Sequence, residues 1–157
     1  MNEQIKELGK FKYIETGEGE VLLLLHGLLG ALSNFSHIIE RFKTKNQVVV
    51  PLLPILELPL REATLGTLVQ YVKDFVDEKG LNNIHVLGNS LGGHIALLFA
   101  MDCPEKERSI TLTGSSGLFE NAMGSSFPKR KNYEFMKKKV EDTFYDPKTA
   151  DLSLIHI

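Results

Sequence analysis

The sequence predicts an α/β fold built on a mostly parallel sheet with helices on both faces. Two continuous apolar runs, Val21-Leu22-Leu23-Leu24-Leu25 and Ile84-His85-Val86-Leu87, have the length and composition of strands buried on both sides. Between and after such runs, apolar residues recur at helical spacing, and Gly, Pro and polar residues punctuate the changes of period. Alternation of strand and helix at this spacing is the signature of parallel pairing through helical crossovers.

Taken in order, Lys10 to Thr16 alternates polar and apolar residues as a half-exposed strand does, and the turn at Gly17 to Glu20 leads into the buried run at Val21, giving an expected strand pair. Phe35, Ile38, Ile39 and Phe42 mark one face of a first helix, with Ser33 as its expected N-cap. Val48-Val49-Val50 supplies a third strand. Pro51, Pro54 and Pro59 then break the chain into a loop expected to overlook the functional site. Leu65, Leu68, Val69, Val72 and Val76 predict a second helix, capped by Thr64 and ended by Gly80. Ile84 opens the next strand, a helix follows to Pro104, and Ser109 to Gly114 reads as a further strand.

The chemistry is concentrated where the Ile84 strand meets its helix, at Gly88-Asn89-Ser90-Leu91-Gly92. A serine on a sharp strand-to-helix turn needs residues without a Cβ two positions before and after it, because the backbone there is strained and crowded. Gly88 and Gly92 meet that need. Such a serine stands at a helix N-terminus, where the Leu91 amide can face a developing oxyanion. The other apolar run ends in His26-Gly27-Leu28-Leu29-Gly30, where the Leu28 amide can supply the second oxyanion contact and Gly27 and Gly30 let the backbone turn tightly.

These two motifs, each following a buried strand, resemble the α/β-hydrolase family from about Lys10 to Asp151. The resemblance implies Ser90 as nucleophile and Leu28 and Leu91 as oxyanion amides, with His26 bracing the oxyanion loop. The form Gly-Asn-Ser-Leu-Gly-Gly at positions 88 to 93 is most similar to the meta-cleavage-product hydrolases, which cut carbon–carbon bonds. It therefore suggests His26, Gly27, Asn34 and Asn89 as residues lining a small-molecule pocket. Either asparagine could instead bond backbone. Triad chemistry of this kind needs no metal or organic cofactor.

Composition narrows the partners. The net charge of −2 over 157 residues gives no electrostatic reason to expect nucleic acid or an anionic membrane surface. No apolar stretch reaches the length of a membrane span, and the polar start lacks the layout of a signal peptide, so a cytoplasmic setting is expected. The single cysteine, Cys103, excludes an intrachain disulfide and a cysteine-based metal site. Oligomeric state is not legible.

Residues 1–115 are expected to form the N-terminal part of the hydrolase core. Residues 116–151, with basic runs at Lys129-Arg130-Lys131 and Lys137-Lys138-Lys139, are expected to begin a helical cap, the basic runs being solvated helix faces. The last six residues, 152–157, coincide with a translated transposon-end sequencing adapter, and this tail is expected to be non-native. A serine hydroxyl needs a histidine to take its proton and an acid to orient that histidine, and in the resembled fold both follow the serine. Neither is found at the family's positions, and Gly114, Ser115 and Ser116 occupy the rarer alternative place for the acid. Among the histidines, His26, His37 and His85 are poorly placed as bases, and His94 is close but badly directed. The chain as it stands is therefore expected to be inactive. The alternative to a serine hydrolase is a non-catalytic binding module of the same fold.

Overall fold

The protein is described here by a computed structural model, in which residues 4–28, 32–59, 61–118 and 133–141 are described. Its strands are β1 (Lys6–Leu8), β2 (Phe11–Thr16), β3 (Glu20–Leu25), β4 (Asn46–Pro51), β5 (Ile84–Asn89) and β6 (Glu107–Thr113). Its helices are α1 (Ser36–Phe42), α2 (Leu65–Lys79), α3 (Leu91–Asp102) and α4 (Tyr133–Glu141). The strands form one sheet in the order β1-β2-β4-β3-β5-β6, parallel from β4 to β6 and antiparallel at β1 and β2. No described helix is long and apolar enough to cross a membrane.

The continuous apolar run of β3 does what its composition requires. Leu23 and Leu25 enter one core with α2 and α3, while Leu22 and Leu24 enter a second core with Phe35 and Ile39. Both faces of the strand are thus covered, and both of its edges are paired in parallel, to β4 and β5. This overturns the expected pairing of β2 with β3: β4 lies between them and pairs with β2 antiparallel. The loop through Gly17 and Gly19 passes so close under the Lys43, Lys45 and Asn46 carbonyls that side chains there would collide with backbone. β1 is a strand that the sequence pattern did not reveal, being only three residues long. It forms a hairpin with β2 through Gly9, at φ +53, and Lys10, so β2 begins at Phe11.

The helices follow their apolar faces with one correction. A 3-10 turn at Leu32–Phe35 precedes α1, so Ser33 is not its N-cap; Phe35 holds that place and makes no side-chain capping bond. The tighter turn absorbs the start of the expected helix, and Phe42, at its far end, is 44% exposed instead of packed. α2 fits the expectation, with the Thr64 hydroxyl accepting from the Thr67 amide at 3.2 Å and Gly80 in the left-handed conformation at φ +70. Its buried face includes Phe75, whose ring meets Phe11 and Tyr13 at centroid distances of 5.5 and 5.4 Å.

The register fixes the site. Leu25 of β3 lies beside Gly88 of β5, so the segments that follow both strands leave the same edge of the sheet side by side. Beyond Leu118 the chain forms a separate compact unit, Phe119–Ile157, in which α4 carries Glu134 in its first turn. Most of the expected cap, including Lys129-Arg130-Lys131, and the tail 152–157 lie outside the described residues.

Replacing Thr64 by Ala is expected to cost about 1 kcal/mol through loss of the α2 cap. Urea unfolding should show a lower midpoint at unchanged slope, with Thr64→Ser close to the parent. An Ala variant with the parental midpoint would mean that the cap contributes nothing.

Candidate active site

Ser90 stands between β5 and α3 with φ 53 and ψ −117, and is one of two non-glycine residues with positive φ among the described residues. A side chain held there costs on the order of 1–3 kcal/mol and persists only where its surroundings enforce it. The enforcement is visible. The Ser90 amide donates to the Thr113 carbonyl of β6 at 3.0 Å, and the Ser90 carbonyl accepts from the amides of Gly93, His94 and Ser116 at 3.0, 3.2 and 3.2 Å.

The flanking glycines are required by contact. A methyl on Gly88 would overlap the Gly92 carbonyl oxygen and approach Gly93 Cα to 2.6 Å. One on Gly92 would overlap the Leu25 carbonyl oxygen and lie 2.7 Å from that of His26. The first turn of α3 is thereby pressed onto the end of β3.

The same approach brings the loop after β3 to the serine. A methyl on Gly27 would lie 3.0 Å from Ser90 Cβ, so the backbone at Gly27 borders the serine directly. Leu28 follows at 36% exposure. Leu91 is the first residue of α3, and its amide has no carbonyl four residues back within the helix. Among the described residues, neither the Leu28 nor the Leu91 amide donates a hydrogen bond. Leu29 and Gly30 lie outside the described residues.

His26 is the one buried polar residue among the described core positions, 9% exposed. Its Nε2 accepts from the Leu53 amide at 3.0 Å, which places the ring proton on Nδ1, where it is donated to the Gly27 carbonyl at 2.9 Å. Burial pushes the imidazole pKa below its ordinary value, against a smaller opposing pull from the Gly27 carbonyl. A neutral His26 tying the loop after β3 to the loop after β4 is a brace, as the resemblance implies. The proline-rich segment after β4 begins inside the core, where Leu53 and Ile55 are buried.

The asparagines differ. Asn89 donates through Nδ2 to the Thr113 carbonyl and hydroxyl at 3.1 and 3.0 Å, tying β5 to β6 at the turn. Asn34 is exposed in the 3-10 turn. Of the other histidines, His37 is exposed on α1, and His85 bonds Ser109 across the strands at 2.7 Å. The His94 ring packs against Gly117, and among the described residues no hydrogen bond joins it to the Ser90 hydroxyl. His156 lies outside the described residues. The supports from Thr113, Ser116 and Leu53 had no signal in the sequence, since all three act through pairings that exist only once the sheet has formed.

The chain belongs to the α/β-hydrolase fold family, whose model matches residues 20–147. It is 32% identical over 123 residues to 2-hydroxy-6-oxo-6-phenylhexa-2,4-dienoate hydrolase of Comamonas testosteroni, covering 72% of this chain and 43% of that protein. It is 33% identical over 124 residues to lipase 1 of Psychrobacter immobilis, covering 74% of this chain and 39% of that one. An α/β hydrolase enzyme from the metagenome of Mar Chica lagoon sediments in Morocco superimposes with a TM-score of 0.71 at 40% identity, covering 94% of this chain and 65% of that one. The chain thus spans about two fifths of the length of these two curated relatives.

Two outcomes are expected from the site's geometry. Ser90→Gly should raise stability by about 1 kcal/mol by relieving the positive φ, net of the added freedom of the unfolded chain; a lower urea midpoint would show that the serine is unstrained. The second concerns pH. Because burial lowers the folded pKa of His26 below its ordinary 6.5, the unfolded state binds the proton more readily. Its contribution to stability is full above about pH 6.5 and is lost as the pH falls toward the lowered folded value. His26→Gln should flatten the pH dependence of the urea midpoint in that window, and an unchanged slope would contradict the assignment.

Proposed function

We propose that this chain carries the nucleophile and oxyanion half of a serine hydrolase acting on an ester or a carbon–carbon bond of a small carbonyl substrate. The observation that carries the reading is Ser90 at φ 53, clamped between two glycines that admit no methyl. Strain of this kind has no packing purpose, since Ser90 fills no core position, and it is what exposes a hydroxyl at the head of a helix. In the reaction, Ser90 Oγ attacks the carbonyl carbon and its proton passes to a histidine base. The Leu28 and Leu91 amides hold the negative oxygen of the tetrahedral intermediate, and the leaving group departs with the proton. His26 and Gly27 shape the pocket wall, with Asn34 and Asn89 at its margin.

The base and its orienting acid we assign to polypeptide following residue 151, and residues 116–151 to the start of a substrate-selecting cap. The hydrolase relatives support the reaction class, and their greater length supports the assignment of the missing partners.

Two measurements test this. The 157-residue chain should hydrolyse p-nitrophenyl esters no faster than its Ser90→Ala variant. A polypeptide of the relatives' full length, carrying an acid and then a histidine after residue 151, should be labelled by a fluorophosphonate at Ser90, with the label absent from Ser90→Ala. A folded, unlabelled long form would establish the binding module instead.

A further inference from the structure

The contacts of His26 belong to a longer chain of hydrogen bonds. Tyr71, on α2, directs its hydroxyl to the Leu52 carbonyl at 3.2 Å. The Leu53 amide, which donates to His26 Nε2 at 3.0 Å, is the other end of that same peptide group. From His26, Nδ1 donates to the Gly27 carbonyl at 2.9 Å, and the Gly27 carbonyl shares its peptide group with the Leu28 amide. The bonds therefore run in one direction: Tyr71 hydroxyl, the 52–53 peptide, imidazole, the 27–28 peptide. At the far end is an N–H that donates to nothing among the described residues.

We propose that Tyr71 is a positioning residue for the oxyanion site, acting through the 52–53 peptide and His26 to orient and polarise the Leu28 amide. The proposal rests on the assignment of Leu28 as an oxyanion donor made above. Each link accepts at one end and donates at the other, so each strengthens the next, by about 10–30% per bond in condensed-phase estimates. A carbonyl that accepts a hydrogen bond leaves its own N–H more positive, which is the property an oxyanion donor needs before substrate arrives. Geometry contributes as well. The 52–53 peptide is fixed at its carbonyl by Tyr71 and at its amide by His26, while the preceding Leu52 amide donates to the Lys12 carbonyl of β2 at 2.8 Å. The imidazole is thus tied through the 52–53 peptide to α2 and β2. Burial pushes the Tyr71 phenol above its ordinary pKa, against a smaller lowering from the Lys12 backbone, so the hydroxyl stays protonated as a donor. Its ring is anchored independently, meeting Phe11 edge-on at 4.9 Å, and Tyr71→Phe would keep that packing while removing the hydroxyl and with it the relay's first bond.

The test reads the amides directly in this chain by NMR. In the parent, a through-hydrogen-bond coupling between the nitrogens of Leu53 and His26 Nε2 should be present. Tyr71→Phe should shift the Leu28 amide proton upfield and shrink that coupling, whereas 3-fluorotyrosine in place of Tyr71, a stronger donor, should shift Leu28 downfield. Thr64→Ala, on the same helix but outside the relay, should leave Leu28 in place. A purely structural Tyr71 would not give shifts of opposite sign. Equal Leu28 shifts in all forms, shifts of the same sign in both variants, or absence of the Leu53–His26 coupling would overturn the proposal. None of these readouts involves Ser90 chemistry, so failure of the relay and failure of the hydrolase reading are separately visible.

Discussion

The contact between Gly92 and the Leu25 carbonyl is the constraint on which the rest of the structure depends. It joins the first turn of α3 to the end of β3 at a separation that no side chain permits. From that single approach follow the forced conformation of Ser90 and the position of the loop after β3 beside the serine. Gly88 on the facing strand completes the squeeze from the other side, since the α3 backbone at Gly92 and Gly93 lies directly over it. Enlarging either glycine would push the helix off the sheet and separate the elements that the site needs together.

Holding a strained turn requires stability from elsewhere, and the two cores supply it. α2 and α3 bury Val72, Phe75, Val76, Ile95, Ala96 and Phe99 against one face of the sheet, and α1 covers β3 and β4 on the other. Each fully buried aliphatic or aromatic side chain contributes about 1.5–3 kcal/mol, so a few of them outweigh the strain at Ser90. Surface ion pairs such as Lys10–Asp74 and Lys73–Asp102 join α2 to its neighbours, but solvent screens them and they contribute little. Glu15 is placed differently. Burial alone would raise its pKa, but bonds from Gln47, Lys79 and Lys6 outweigh burial and hold the carboxyl below its ordinary value, fastening β2 to β4 and to the end of α2.

Much of this was legible in the sequence because it depends on local pattern. The two-faced burial of β3 was written in its unbroken apolar run, the limits of α2 in Thr64 and Gly80, and the strained serine in the spacing of Gly88 and Gly92. What the sequence concealed depends on partners distant along the chain. Nothing in Lys10 to Thr16 says that β4 rather than β3 will be its neighbour, because alternation specifies a half-exposed strand and not its place in the sheet. Nor does Tyr71 differ from any other large residue on a helix face until the loop after β4 folds back to meet it. The 3-10 turn before α1 was hidden for another reason: Phe35 and Ile39 suit the helical period whether or not the helix has begun.

A crystal structure of a phosphonylated polypeptide of the relatives' full length shows directly where the charged oxygen is held. Phosphorus should be bonded to Ser90 Oγ, with the phosphonyl oxygen within about 2.7–3.1 Å of both the Leu28 and Leu91 amides. An adduct on another residue, or a phosphonyl oxygen turned away from both amides, would rule out Ser90 as nucleophile or the two amides as its oxyanion donors.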